Sequence, residues 1–106
     1  MRLLLDESVP VRLRRALPSH SVKTVVEMRW SGLNNGALLA VAAGAFNGLI
    51  TVDKNLSYQQ NVKSLPMAVV LLDSVSNELE YLLPLVPRLD EALMVLEPRS
   101  FVRVGA

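Results

Sequence analysis

Four short apolar runs, at 3–5, 22–26, 49–52 and 68–72, constrain this chain more than any other feature of its sequence. Each has strand length, and none keeps the period-2 alternation of a strand with one wet face, so they read as strands buried on both sides. Helical patterns separate them. In "VPVRLRRAL", Val9, Leu13, Ala16 and Leu17 fall on one face, with Pro10 in the first turn where its missing N–H costs little. "ALLAVAAGAF" is apolar all round and predicts a buried helix. Residues 77–96 read as helix in two pieces, because Pro84 and Pro87 cannot sit inside one hydrogen-bond ladder. "SFVRV" closes the chain as a last strand. Strand and helix in alternation predict an α/β domain over residues 1–106, with βαβ units, a mostly parallel sheet and right-handed crossovers.

In open α/β sheets, ligands bind in the crevice beyond the carboxyl ends of the strands. The four runs are followed by Asp6, Glu27, Asp53 and Asp73. An Asp between strand and helix is also a favoured N-cap, so each acid alone is as well explained by capping. Four in succession, from a total of ten acids, exceed what capping requires. Clustered carboxylates repel unless a cation or raised pKa values relieve them, which points to Mg²⁺ or Mn²⁺ and to phosphodiester hydrolysis as the chemistry such a metal assists.

Composition narrows the alternatives. Without cysteine there is no disulfide framework and no thiolate zinc site. Eleven Lys and Arg against ten Asp and Glu give a net charge of +1, too balanced to hold nucleic acid by overall charge, so any such site must be local. Asp6 and Glu7 interrupt the first apolar run before a signal-peptide core forms, and 37–50 falls short of the roughly 18 apolar residues of a membrane span. A cytoplasmic, non-membrane protein is expected. Hydrophobic content of 51% and a mean hydropathy of +0.33 suggest apolar surface covered by a partner or a second copy, hence a homodimer or a complex with another protein. Neither G-x-G-x-x-G nor G-x-x-x-x-G-K-[ST] occurs, and "LDES" lacks the second Asp of an Asp-x-Asp phosphatase pair.

Other residues carry two readings each. Arg12 and Arg15, three apart after Asp6, suit a phosphate backbone or a solvated face. Lys54, beside Asp53, is a further candidate for RNA contact. Gln59, Gln60 and Asn61 suit orientation of a ligand or a metal-bound water, or a polar first turn. Trp30 suits base stacking, core packing or a partner interface. His20 stands alone, without a second imidazole for a metal site.

Together "LLLDESVPVRLRRALP", "VVEMRWSGLNNGALLAVA" and "LITVDKNLSYQQN" resemble a family of small bacterial PIN-like domains, related to the toxin ribonucleases of type II toxin–antitoxin pairs. The resemblance runs in order through "PMAVVLLDSVSNELEYLLPLVPRL". It implies a three-layer α/β fold, Mg²⁺ or Mn²⁺ on carboxylates, single-stranded RNA as substrate and a small antitoxin as partner. Asp6 and Asp53 match the family's acids, with Glu7 and Glu27 as further matches. PIN-like nucleases usually carry another acid near the start of the helix after the second strand, where this chain has Asn34, Asn35 and Ala37.

The expected function is therefore a metal-dependent endoribonuclease. Asp6 and Asp53 are its core metal ligands, Glu27, Asp73 and Glu7 assist through water, and Arg12 or Arg15 positions phosphate. The competing expectation keeps the fold and drops the chemistry, leaving a catalytically degenerate module that binds RNA or a protein.

Overall fold

The computed structural model describes residues 1–56 and 62–105. Its five strands are β1 (Arg2–Leu5), β2 (Ser21–Thr24), β3 (Gly48–Thr51), β4 (Ala68–Asp73) and β5 (Phe101–Gly105). They form one sheet in the order β2-β1-β3-β4-β5, and every pairing is parallel. The strand order reverses between β1 and β3, which places the topological switch point at the middle of the sheet.

Both faces are dry over β1, β3 and β4, as the apolar runs at 3–5, 49–52 and 68–72 predict. The edge strand β2 instead exposes Ser21 and Lys23 and buries Val22, so two-sided burial of the run at 22–26 does not hold. The pleat sends Leu3, Leu5, Ile50, Val70, Leu72 and Val104 to one face, where they meet Leu13 and Leu17 and the inward side chains of the C-terminal helices. Leu4, Leu49 and Val69 point the other way, onto Leu38, Leu39, Ala42 and Phe46. Helical segments thus cover both sides, an arrangement compatible with a three-layer α/β fold.

Three local expectations shift. The segment after β1 is a 3-10 helix, Val11–Ala16, with Leu13 N–H donating to Pro10 C=O and Leu17 N–H to Arg14 C=O. Seven residues confined between Pro10 and Pro18 give an α-ladder little room, and the tighter turn still buries Val9, Leu13 and Leu17. The helix expected at 37–46 to be buried all round runs instead over Asn35–Ala42, and it buries Leu38, Leu39 and Ala42 but exposes Ala40 and Val41. It lies on one face of the sheet, so its outer side meets solvent. Strand β2 ends at Thr24 rather than at 26, because Val25 begins a turn.

The C-terminal helical region does divide at its prolines. Leu79–Leu82 leads through a 3-10 turn, Leu83–Leu85, into the helix Val86–Met94. Pro84 and Pro87 each occupy a first-turn position, where a missing N–H breaks no ladder. Among the described residues no helix is long and apolar enough to cross a membrane.

Candidate functional site

At the carboxyl edge of the two central strands the chain runs out of apolar residues and turns polar. Thr51, the last residue of β3, is fully buried. Its hydroxyl donates to Asp6 Oδ2 at 2.9 Å and accepts the Asp53 N–H at 3.0 Å, so one buried side chain ties the acid after β1 to the acid after β3. Ser8 Oγ also donates to Asp6 Oδ2, at 2.8 Å, and the Glu7 N–H donates to Asp6 Oδ1 at 2.8 Å. Asp53 Oδ1 accepts the Asn55 N–H at 2.9 Å, which folds the chain into a turn. Asn77, in the loop after β4, donates through Nδ2 to the Ser8 carbonyl at 3.1 Å and brings a third loop into the same polar cluster.

Among the described residues the hydrogen bonds to both central acids come from uncharged donors; the two acids lie half-buried, while Glu7 is exposed beside them. Beside Asp6 and Glu7 opens a groove of about 380 Å³, walled by Val9, Val11, Val25 and Val26. Arg12 and Arg15 are both exposed on the 3-10 helix that follows, and three residues per turn sets them on one side.

Glu27 and Asp73 are engaged differently. Thr24 N–H donates to Glu27 Oε1 at 2.9 Å and Glu27 N–H donates to Thr24 Oγ1 at 3.1 Å, a reciprocal capping box around a single helical turn. Arg14 Nη1 donates to the same Glu27 Oε1 at 2.8 Å. The Thr24 N–H above all, then Arg14, holds the Glu27 carboxyl below its ordinary pKa. The turn closes with Arg29 at φ 61° and with bonds from Arg29 N–H to Val26 C=O and Trp30 N–H to Val25 C=O, a Schellman pattern. Trp30 then packs edge-on against Phe46, with ring centroids 6.0 Å apart, as the core reading of this residue expects.

Asp73 ends β4 with a carboxylate held by two cations. Lys54 Nζ meets Oδ1 at 3.0 Å, and Arg103 donates to Oδ2 through Nε at 2.6 Å and through Nη2. Lys54 first, then Arg103, pulls the Asp73 pKa below its ordinary value.

Of the expected site residues, the fold brings Asp6, Glu7 and Asp53 to the ends of adjacent central strands. Glu27 lies on the β2 side and Asp73 on the β4 side, each paired with cations. Asn34, where the family resemblance leads one to look for an acid, caps the helix Asn35–Ala42 by accepting the Ala37 N–H at 2.8 Å. Gln59, Gln60 and Asn61, the amide candidates, lie outside the described residues. His20 precedes β2 and so belongs to the opposite edge of the sheet. Among the described residues no three His, Asp or Glu side chains gather into a group able to hold a metal. An ion held by only two carboxylates would have to complete its coordination with water and substrate phosphate, as Mg²⁺ does.

Sequence reasoning missed Thr51, Ser8, Asn77 and Arg103. Signals existed for three of them: hydroxyls two residues from each central Asp, in "DES" and "TVD", are turn chemistry, and an arginine inside "FVRV" is out of place in an apolar strand.

Thr51→Val keeps the side chain's shape while removing a donor to Asp6 and leaving the Asp53 N–H without its acceptor. A loss of about 1–3 kcal/mol in unfolding free energy is expected from urea titration. Asp73→Asn tests the charge cluster through pH. In the unfolded chain this carboxyl takes its proton near pH ~3.9, whereas in the folded chain it stays ionised to lower pH. Its contribution is therefore complete above that value and lost as pH falls through the folded pKa. The stability gap between wild type and variant should hold steady from about pH 7 to pH 5 and close in acid; urea midpoints across that range measure it.

No protein-family model matches the chain, and neither a search of curated proteins nor one of solved structures finds a match.

Proposed function

We propose that the protein is a metal-dependent endoribonuclease of PIN-like type that acts on single-stranded RNA. The observation that carries this reading is the pair Asp6 and Asp53, at the switch point of the sheet and joined through Thr51. Asp6 and Asp53 would hold Mg²⁺ or Mn²⁺, with Glu7 reaching it through water. When bound, such an ion lowers the pKa of water and offsets charge on a phosphate. Ser8 and Thr51 orient Asp6, the Asn55 N–H orients Asp53, and Arg12 and Arg15 receive the substrate's phosphates. Glu27 and Asp73, already paired with cations, act in this reading by placing Arg14, Lys54 and Arg103 rather than by taking the metal.

A second reading is favoured by a specific observation. The position for another acid carries the capping Asn34, and no three-acid group occurs among the described residues. On that reading the domain binds RNA or a protein without cleaving it. Turnover separates the two: fluorophore-labelled single-stranded RNA should be cut in Mn²⁺ or Mg²⁺, and Asp53→Asn should lower the rate by at least ~100-fold. Wild-type protein without metal-dependent cleavage would leave the binding module as the function.

The assignment as the toxin of a toxin–antitoxin pair rests on the family resemblance. A small antitoxin or a second copy of the chain would cover exposed apolar side chains such as Val26, Met94 and Val95. Sedimentation of the purified chain should show a dimer at micromolar concentration; monomer at every concentration would remove the homodimer.

A further inference from the structure

We infer that Lys54 and Arg103, assembled on Asp73, form a phosphate subsite that receives the substrate strand where it leaves the Asp6–Asp53 pair toward β5. This inference rests on the nuclease reading above and deepens it, by giving Arg103 a role in holding phosphate and the substrate strand a direction across the sheet.

Two cations share one carboxylate, so the cluster carries a net positive charge. Its layering matters as much as its charge. The Asp73 side chain is 17% exposed, whereas Lys54 is 55% and Arg103 70% exposed, so the acid lies beneath and the cations face outward. Asp73 thereby reduces the rotamer freedom that a long cationic side chain gives up on binding an anion. Arg103 spends Nε and Nη2 on Asp73 Oδ2, which leaves the Nη1 edge of the guanidinium for a phosphate oxygen.

The position relative to the acids is set by the sheet. Lys54 directly follows Asp53, and β3 and β4 are neighbours, so the cluster stands about one strand spacing, ~4.8 Å, beyond the Asp53 strand. β5 is the edge strand, so nothing in the sheet lies beyond Arg103. A polynucleotide crossing the strand ends from Asp6 past Asp53 would next meet these cations. Each phosphate of such a chain is negative, so the cation pair offers a favourable contact beside the acids that would hold the metal.

Arginine on an edge strand also serves to block edge-to-edge pairing, and that role needs no ligand. The experiment separates the two. In the first arm, tripolyphosphate is titrated into the full chain in EDTA while the Arg103 Nε–H signal is followed by ¹H–¹⁵N NMR. The Arg103 and neighbouring β5 signals should shift saturably in wild type, and the β5 shifts should vanish in Arg103→Ala and return in part in Arg103→Lys. Arg99→Ala, at the opposite edge of the sheet, should leave them unchanged. In the second arm, single-stranded RNA is cleaved in Mn²⁺. Arg103→Ala should raise KM by about 5–10-fold with kcat within about twofold, and should lower the slope of log KM against log salt by about 1.

Equal phosphate shifts in wild type and Arg103→Ala would mean an adventitious ion only and would overturn the subsite. So would an unchanged KM, and if Asp53→Asn still abolished turnover, the nuclease reading would survive that failure. Tripolyphosphate held at Arg103 in a protein that never cleaves RNA would leave the anion site standing and remove the nuclease. Circular dichroism of each variant excludes misfolding, and Arg103→Lys, which retains the charge on Asp73, guards against a purely structural loss.

Discussion

The central strands of a parallel sheet covered on both faces can place polar side chains only where they end, and the rest of this protein's chemistry follows from that constraint. Among the described residues Thr51, at the end of β3, is the polar side chain that is buried, without any exposure. A buried hydroxyl is tolerated when its hydrogen bonds are made, and here it donates to Asp6 and accepts from the Asp53 backbone. These two bonds give the carboxyl edge a defined geometry in place of two independent loops. Ser8 and Asn77 extend the same cluster to the loops after β1 and β4.

Charge along this edge is segregated. On the β2 side Glu27 closes a capping box and holds Arg14; on the β5 side Asp73 gathers Lys54 and Arg103. Exposed ion pairs of this kind contribute little to stability, so their interest lies in where they leave positive and negative charge. Between them Asp6, Glu7 and Asp53 form a centre whose hydrogen-bond donors are uncharged. That distribution suits a cation at the centre and anions at the margins, which is the electrostatic pattern the proposed phosphodiester chemistry requires.

The pattern of acids after strands was visible in the sequence, and its equivalence was not. Asp6 and Asp53 sit on neighbouring strands because β2 is placed outside β1, and no local sequence rule fixes strand order. Glu27 looked like a fourth strand-end acid because the run at 22–26 is apolar enough to be read as strand. The capping pattern "TVVE" was the competing signal, and it prevails because Thr24 and Glu27 satisfy each other's backbone N–H groups. Asp73 looked available for metal until the partner strand supplied Arg103, thirty residues away. Asn34 was read as a missing acid; its oxygen instead satisfies an orphan N–H at the start of a helix.

What the sequence determined by itself is the class of the fold and the edge on which polar chemistry lies. Unbroken apolar runs require two-sided burial, prolines limit the helical segments, and acids mark the strand ends. Tertiary structure alone decided which acids share a hydrogen-bond network and which are paired with cations. Pairing β1 with β3 joins Asp6 to Asp53 through Thr51, and pairing β4 with β5 gives Asp73 to Arg103. The physical reason is range: periodicity and capping act over a few residues, whereas hydrogen bonds and ion pairs depend on distances that only the packed sheet establishes.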